Sequence, residues 1–398
     1  MINYDSLIHN REYFTFEHIA ARQKEYNFTQ AVKVETFLWD IELYGQLQKY
    51  LGEKVTLKGG AAAQLFFPPE KQRTSVDIDV IYVGNKDELH AALDAIHQAF
   101  GGDETFFRFQ PLVPKEPTTV LPMETYNVAV PSLTKVGGTL FIKVDFHFMD
   151  KLELDSIELE FGSAFVLTLK FKPRCLSRGS LLGDKLLTFA RGSVGIPEER
   201  QDDIMKQLYD VDLLSRIISH EETSSMQRAL SILFEKELSA REKRIEFSEA
   251  LQQIAELLSQ YANVNNPTCA PEIKKGIDNF RGNYEPRPFR NPIEWEVSAK
   301  RIQFLVHAIS ENPNQSIAIL KEGEEIEAAL NFSGGPNRME LRKLLADEFL
   351  EMLRTSGQTS IAKRIKSNPL ERVYWEVVRP SNLDAIKQRV QSKIHSLS

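Results

Sequence analysis

The stretch Lys58-Gly59-Gly60-Ala61, followed by Arg73-Thr74-Ser75-Val76-Asp77-Ile78-Asp79-Val80, constrains this chain more than any other. It reads as the end of a short apolar strand, a glycine turn, a short helix and a second strand that carries two carboxylates. Side chains alternate faces along a strand, so Asp77 and Asp79 point the same way while Val76, Ile78 and Val80 enter the opposite, apolar layer. Two carboxylates this close raise one another's pKa unless a cation lies between them. Mg²⁺, or Mn²⁺ with similar ligands, takes oxygen donors, holds both anions ionised and keeps positions open for phosphate. Gly59 and Gly60 sit where backbone N–H groups and a helix N-terminus face such a phosphate chain. A glycine pair alone is an ordinary turn, but the Asp-x-Asp strand begins 17 residues after it, and burying two aspartates in a sheet for packing alone is costly.

At 398 residues, 42% hydrophobic and 26% charged, the chain is long enough for two or three globular domains. A formal net charge of −7 argues against a protein coated in positive charge, so any nucleic-acid contact must be local. Cys175 and Cys269 lie far apart with no CxxC spacing, which points away from a disulfide framework or a zinc site and towards a reducing, cytoplasmic setting. The first residues carry neither a basic n-region nor an apolar h-region, and no run approaches ~18 apolar residues. No export signal and no membrane span are therefore expected.

Residues 11–50 are rich in helix formers, and Phe37, Ile41, Tyr44 and Leu47 share one helical face, predicting a packing helix ahead of the glycine turn. From Val55 to Leu169 the pattern becomes alternating and β-branched: Val55–Leu57, Val76–Val83, Leu140–Phe148 and Ile157–Leu169 read as strands, with a helix over Asp87–Phe100. Beyond Arg174 the periodicity is helical, as in Phe247, Leu251, Ile254 and Leu258. The proline-rich segment 263–292 and the Asn331–Pro336 stretch read as breaks. The expected class is α+β: a small mixed sheet flanked by helices, with a mostly α-helical C-terminal region. Residues 1–175 form the core with its N-terminal packing helix, residues 176–262 a helical region completing the site, and residues 263–398 a helical C-terminal domain. The last 38 residues, from Ile361, carry eight Lys/Arg against three Asp/Glu together with Tyr374 and Trp375; they read either as a guide for an RNA backbone or as a wet helix face.

Three further elements carry candidate chemistry. In Phe141–Phe148, Lys143, Asp145 and His147 share a face. Asp145 reads as a third metal ligand, as a base for an attacking hydroxyl, or as the polar side of a half-exposed sheet, and His147 as a sheet-surface or supporting residue. Lys185, set among leucines in Leu181–Arg191, wants an anion, which a triphosphate or a neighbouring carboxylate would supply. In the helix Glu199–Leu214, Asp203 and Asp210 lie two turns apart on one face. Asp210 is flanked by Tyr209 and Val211, which favours burial.

Taken together, these elements resemble the AbiEii/AbiGii-type nucleotidyltransferase toxins, a MenT-like branch of the DNA polymerase β-like superfamily. The likeness runs through residues ~33–215. It rests on Gly59-Gly60, on the string from Arg73 to Asp79 with Ser75 inside it, on Lys185 with Arg191, and on Asp210 ahead of Leu213-Leu214. The string from Arg73 to Asp79 is the specific part. Two positions depart from the family pattern: Ala61-Ala62-Ala63 stands where Thr-Ala-Leu is usual, and Lys206-Gln207 where an Arg-Asp pair is usual. With Arg200 just ahead of Asp202-Asp203, the last motif registers on either Asp203 or Asp210. The resemblance implies an enzyme that transfers a nucleoside monophosphate from an NTP to an acceptor hydroxyl and releases pyrophosphate. Asp77 and Asp79 would be its metal ligands, with Asp145 the candidate third; Gly59, Gly60, Arg73, Ser75, Lys185 and Arg191 would hold the nucleotide, and Asp210 would orient or activate. It further implies an RNA acceptor at the tRNA 3′ end and an antitoxin partner. A protein hydroxyl or small molecule as acceptor, or an idle nucleotide-binding module acting through a partner, are the competing readings.

Overall fold

Seven strands among the described residues form one mixed sheet: β1 (Val55–Lys58), β2 (Asp77–Tyr82), β3 (Arg108–Pro111), β4 (Met123–Pro131), β5 (Thr139–Phe148), β6 (Ser156–Glu158) and β7 (Arg174–Leu176). Their order is β3-β4-β5-β2-β1-β7-β6, so the aspartate strand β2 lies at the centre. The computed structural model describes residues 4–112, 122–197, 200–266, 269–330 and 338–397. β2 runs antiparallel to β1 and parallel to β5. That register sets Asp79 opposite Lys58 on one side and opposite Asp145 on the other, with Asp77 opposite Lys143. Ile78 and Val80, with Val144 and Phe146 beside them, are buried as period-2 alternation requires.

Helices α1 (Phe16–Glu25) and α2 (Ala31–Leu51) precede the sheet, α3 (Gly59–Gln64) joins β1 to β2, and α4 (Lys86–Ala99) follows β2. α2 is buried on all sides from Val34 to Leu47 because it packs against β1, β2, β5, α3 and α4. The expected single packing helix over 11–50 is thus two helices, broken where Asn27 takes a left-handed backbone with φ 56°.

The segment Ile157–Leu169 is not a strand. Only β6 and an isolated bridge, Ala164 to Leu167, survive from it. Its apolar residues serve core packing instead: Phe165 stacks on Phe28 and Phe37 at 4.6 and 5.4 Å between ring centroids. Three strands, β3, β4 and β7, lie outside the expected ones, so the sheet is larger than expected.

After β7 the chain is helical: α5 (Arg178–Leu187), α6 (Gln201–Ile217), α7 (Thr223–Ala240), α8 (Phe247–Tyr261), α9 (Pro271–Asn283), α10 (Pro292–Glu311), α11 (Ser316–Leu330), α12 (Arg338–Thr355), α13 (Thr359–Ile365), α14 (Leu370–Val377) and α15 (Leu383–Leu397). Ser177 caps α5 by accepting from the Ser180 N–H, and Asn291 with Glu294 forms a capping box on α10. The stretch 263–292, expected to be a connection, contains α9, which starts on Pro271 and packs on α6. The expected break at 331–336 lies outside the described residues.

The C-terminal basic stretch is in part core. Tyr374 and Trp375 are core residues, and Arg372 is buried between Glu296 and Glu376 at 2.8 and 2.7 Å. Arg389 pairs with Glu348, and Lys387 with Glu322. With Lys393 also near Glu348, half of the eight Lys/Arg in this stretch are already in ion pairs.

Candidate active site

The polar face of β2 opens into a cavity of about 730 Å³ whose walls include Lys58, Gly59, Gly60, Arg73, Asp77, Asp79, Asp145, Lys185, Asp203 and Lys206. Alternation along β2 delivers both aspartates to it. Gly59 adopts φ 69°, and a Cβ there would collide with the Asp79 carboxylate. Only glycine meets both conditions. A Cβ on Gly60 would stand 2.8 Å from Arg73 Nη2, so the second glycine makes room for the guanidinium.

Burial first, and Asp77 next, push the Asp79 carboxyl up to about 7. Burial and a neighbouring like charge both disfavour the ionised form. Lys58, which reaches Asp184 at 3.2 Å, opposes that effect only in part. His147 lies 4.0 Å from Asp79 Oδ1, yet burial, followed by Lys58, pushes it down to about 3. The imidazole is therefore neutral at physiological pH and makes no ion pair there.

Asp145 lines the cavity in register with Asp79, but both of its oxygens are engaged. The Thr125 hydroxyl donates to Oδ1 at 2.6 Å, and the Lys143 ammonium donates to Oδ2. Among the described residues no group of three or more His, Cys, Asp or Glu side chains is placed to hold a metal ion. The structure thus brings Asp77, Asp79 and Asp145 to one cavity, with Asp145 also paired to Lys143.

Asp210 lies beneath the cavity wall rather than in it. It is fully buried and accepts from Arg73 Nε and Nη2 at 2.9 and 2.6 Å, from Lys185 Nζ at 2.8 Å and from Gln64 Nε2 at 3.0 Å. Burial would raise its pKa, but Arg73 and then Lys185 hold the carboxyl below its usual range. All its acceptor capacity is spent on holding those two cations against the cavity. Lys185 makes a further bond to Gln207 Oε1 at 2.9 Å, which shows what stands in place of an Arg-Asp pair at Lys206-Gln207. Asp203, by contrast, lines the cavity and is paired with Arg200 and with Lys206 at 2.6 Å.

A family model described as nucleotidyl transferase AbiEii toxin, of type IV toxin–antitoxin systems, matches residues 43–315. The match takes in the site from Gly59 to Asp210 and continues to the end of α10. The chain belongs to the AbiEii family. It is accordingly a toxin-type nucleotidyltransferase, and the family implies an NTP substrate and an antitoxin partner. Among solved structures, it is similar to MenT4, a nucleotidyltransferase toxin of Mycobacterium tuberculosis, with 15% identity and a TM-score of 0.37, covering 73% of this chain and 94% of that one. It is also similar to an H. pylori protein described as a nucleotidyltransferase, with 14% identity, a TM-score of 0.35 and coverage of 69% and 95%. No curated protein matches the chain.

Two residues expected at the nucleotide do not line this AbiEii cavity. Arg191 faces Tyr261 of α8, and Ser75 is buried with its hydroxyl towards the Asp77 carbonyl at 3.5 Å. In their place α7 contributes Lys236, and the residue that ends it contributes Arg241; neither position carries a motif in the sequence. Arg241 is fixed by the carbonyls of Ser193 and Gly195 at 3.2 and 3.0 Å. Asp40 on α2 was also missed. Burial, then Asp77 and Asp79, raise its carboxyl well above the usual range, and among the described residues neither oxygen has a hydrogen-bond partner. A lone aspartate within the apolar run Leu38-Trp39-Asp40-Ile41 was the available signal.

Proposed function

We infer that the cavity takes an NTP with a divalent cation, Mg²⁺ by its chemistry, at Asp77 and Asp79, and transfers the nucleoside monophosphate to an RNA hydroxyl at the tRNA 3′ end. The observation that carries this is one cavity shared by two same-face carboxylates and the cations Lys58, Lys185, Lys236 and Arg241. The donor set fits the metal: Mg²⁺ is commonly held by one or two carboxylates, with substrate phosphates and water completing its shell. When bound, the ion keeps both carboxylates ionised and neutralises the phosphate oxygens.

The residues divide the remaining work. Lys58, Lys185, Lys236 and Arg241 hold the β- and γ-phosphates as charges and hydrogen-bond donors. Asp210 acts as a positioning residue that fixes Arg73 and Lys185. The acceptor hydroxyl oxygen bonds to the α-phosphorus as the bond to the bridging oxygen breaks, and pyrophosphate leaves. Its proton passes to Asp145, which faces the same cavity in register with Asp79. The protein works with a cognate antitoxin in a cytoplasmic setting.

Incubation of the purified protein and its Asp77→Ala variant with Mg²⁺, α-labelled NTP and total tRNA tests this reading. Label on tRNA with wild type, reduced on the order of 100-fold or more in the variant, supports it. Label on protein instead moves the acceptor to a protein hydroxyl, and no label from wild type supports the idle module.

A further inference from the structure

At the cavity's edge Lys206 continues into a cationic notch that the reaction above leaves unused. Tyr284, the residue after α9, is anchored to the loop ahead of β2. The Thr74 N–H donates to the Tyr284 carbonyl at 3.1 Å, and the Thr74 hydroxyl to the Asn283 carbonyl at 3.2 Å. Lys33, from the first turn of α2, and Lys206, from α6, each set an ammonium over the Tyr284 ring, 5.5 and 5.1 Å from its centroid. Phe280 packs against the same ring at 6.0 Å.

The two lysines are not equally matched. Lys206 has Asp203 at 2.6 Å. Among the described residues, the Lys33 ammonium meets no carboxylate within ion-pair distance and no hydrogen-bond acceptor. Burial, and then Lys206, hold Lys33 below its usual range against the opposing charges of Asp77 and Asp40, neither of which bonds its ammonium. A tyrosine ring steadies an ammonium by ~0.5–1 kcal/mol but does not neutralise it. Two cations gathered on one ring, one of them unpaired, form a place for an anion.

We propose that Lys33, Lys206 and Tyr284 form a subsite for a backbone phosphodiester of the acceptor strand, next to the nucleotide whose hydroxyl is modified. The proposal rests on the RNA-acceptor reading above. An NTP phosphate shares this chemistry, but of the three residues only Lys206 lines the cavity. Lys33 and Tyr284 lie beyond the lining, where a strand whose end reaches Asp77 would leave the site.

The test measures binding of unmodified tRNA by fluorescence anisotropy over a range of salt for wild type, Lys33→Ala and Lys33→Arg. Mg²⁺-NTP binding is measured separately by calorimetry without RNA. Loss of one phosphate contact makes the salt slope shallower by ~0.7 and weakens binding about 4-fold near ~0.15 M salt. Lys33→Ala should show both changes at an unchanged thermal midpoint, Lys33→Arg should restore them, and NTP affinity should not move. Unchanged tRNA affinity and slope in Lys33→Ala would overturn the subsite while leaving the RNA acceptor standing. A fall in NTP affinity instead would assign the notch to the nucleotide and overturn it equally. Absence of tRNA binding by wild type would remove the acceptor reading and the subsite together.

Discussion

Asp210 has no surface to offer a substrate, and its importance lies in what it holds. Arg73 and Lys185 reach it from β2's approach loop and from α5, and both cations are almost fully buried. Replacing the charge while keeping the shape, as in Asp210→Asn, leaves them with no counter-ion. A loss of about 3–5 kcal/mol is expected for such a broken buried pair, read from urea unfolding; an unchanged midpoint would contradict the anchoring role. The pH dependence has a definite sign. The Asp210 carboxyl is held below its ordinary value, so its contribution is present above about pH 4 and is lost as pH falls through the lowered value. The variant should lack that part of the acid limb. Asp77 and Asp79 were legible because period-2 alternation is local. Burial of Asp210 was legible from Tyr209 and Val211, but its bond to Arg73, 137 residues away, was not, because nothing local records a long-range partner.

At the scale of elements, α6 links the cavity to the C-terminal helices. Two residues apart, Asp210 and Asp212 take different sides of the helix: Asp210 holds Arg73 and Lys185 against the site, and Asp212 is buried against α10. Arg301 of α10 bonds the Asp212 carboxylate and donates to its carbonyl at 2.7 Å, and it reaches Glu324 of α11 at 3.0 Å. Arg290 joins Asp212 at 3.0 Å. Although burial opposes it, Arg301 holds the Asp212 carboxyl well below its usual range. Arg301→Met should cost about 3–5 kcal/mol and speed hydrogen exchange in α6, and unaltered exchange would contradict the link. The long helices were readable from 3.6-residue periodicity. The segment Ile157–Leu169 was not, because its β-branched and aromatic residues fill the core from a loop, and α9 was masked by the prolines around it, one of which starts the helix.

Across the whole molecule, the cavity lies at the seam between the sheet and the helices that follow β7. The sheet supplies Asp77, Asp79 and Asp145 together with Lys58 and Lys143, and α5, α6 and α7 add Lys185, Lys206 and Lys236. In a chain of net charge −7, the cavity lining gathers eight Lys/Arg beside seven Asp/Glu, and no helix among the described residues is long and apolar enough to cross a membrane. The fold class was legible from the order of patterns along the chain. At the basic C-terminus the burial of Arg372, Tyr374 and Trp375 was not legible, because they pack against partners that only folding brings near.

The most direct measurement supplies Mg²⁺-NTP labelled at the α-phosphate in one reaction and at the γ-phosphate in another, with tRNA as acceptor, and follows both the acceptor and the released phosphates. Nucleotidyl transfer at Asp77 and Asp79 predicts α-label on the acceptor, γ-label only in pyrophosphate, and one pyrophosphate per nucleotide added. Gamma-label on the acceptor, or release of orthophosphate without α-label transfer, would contradict the account.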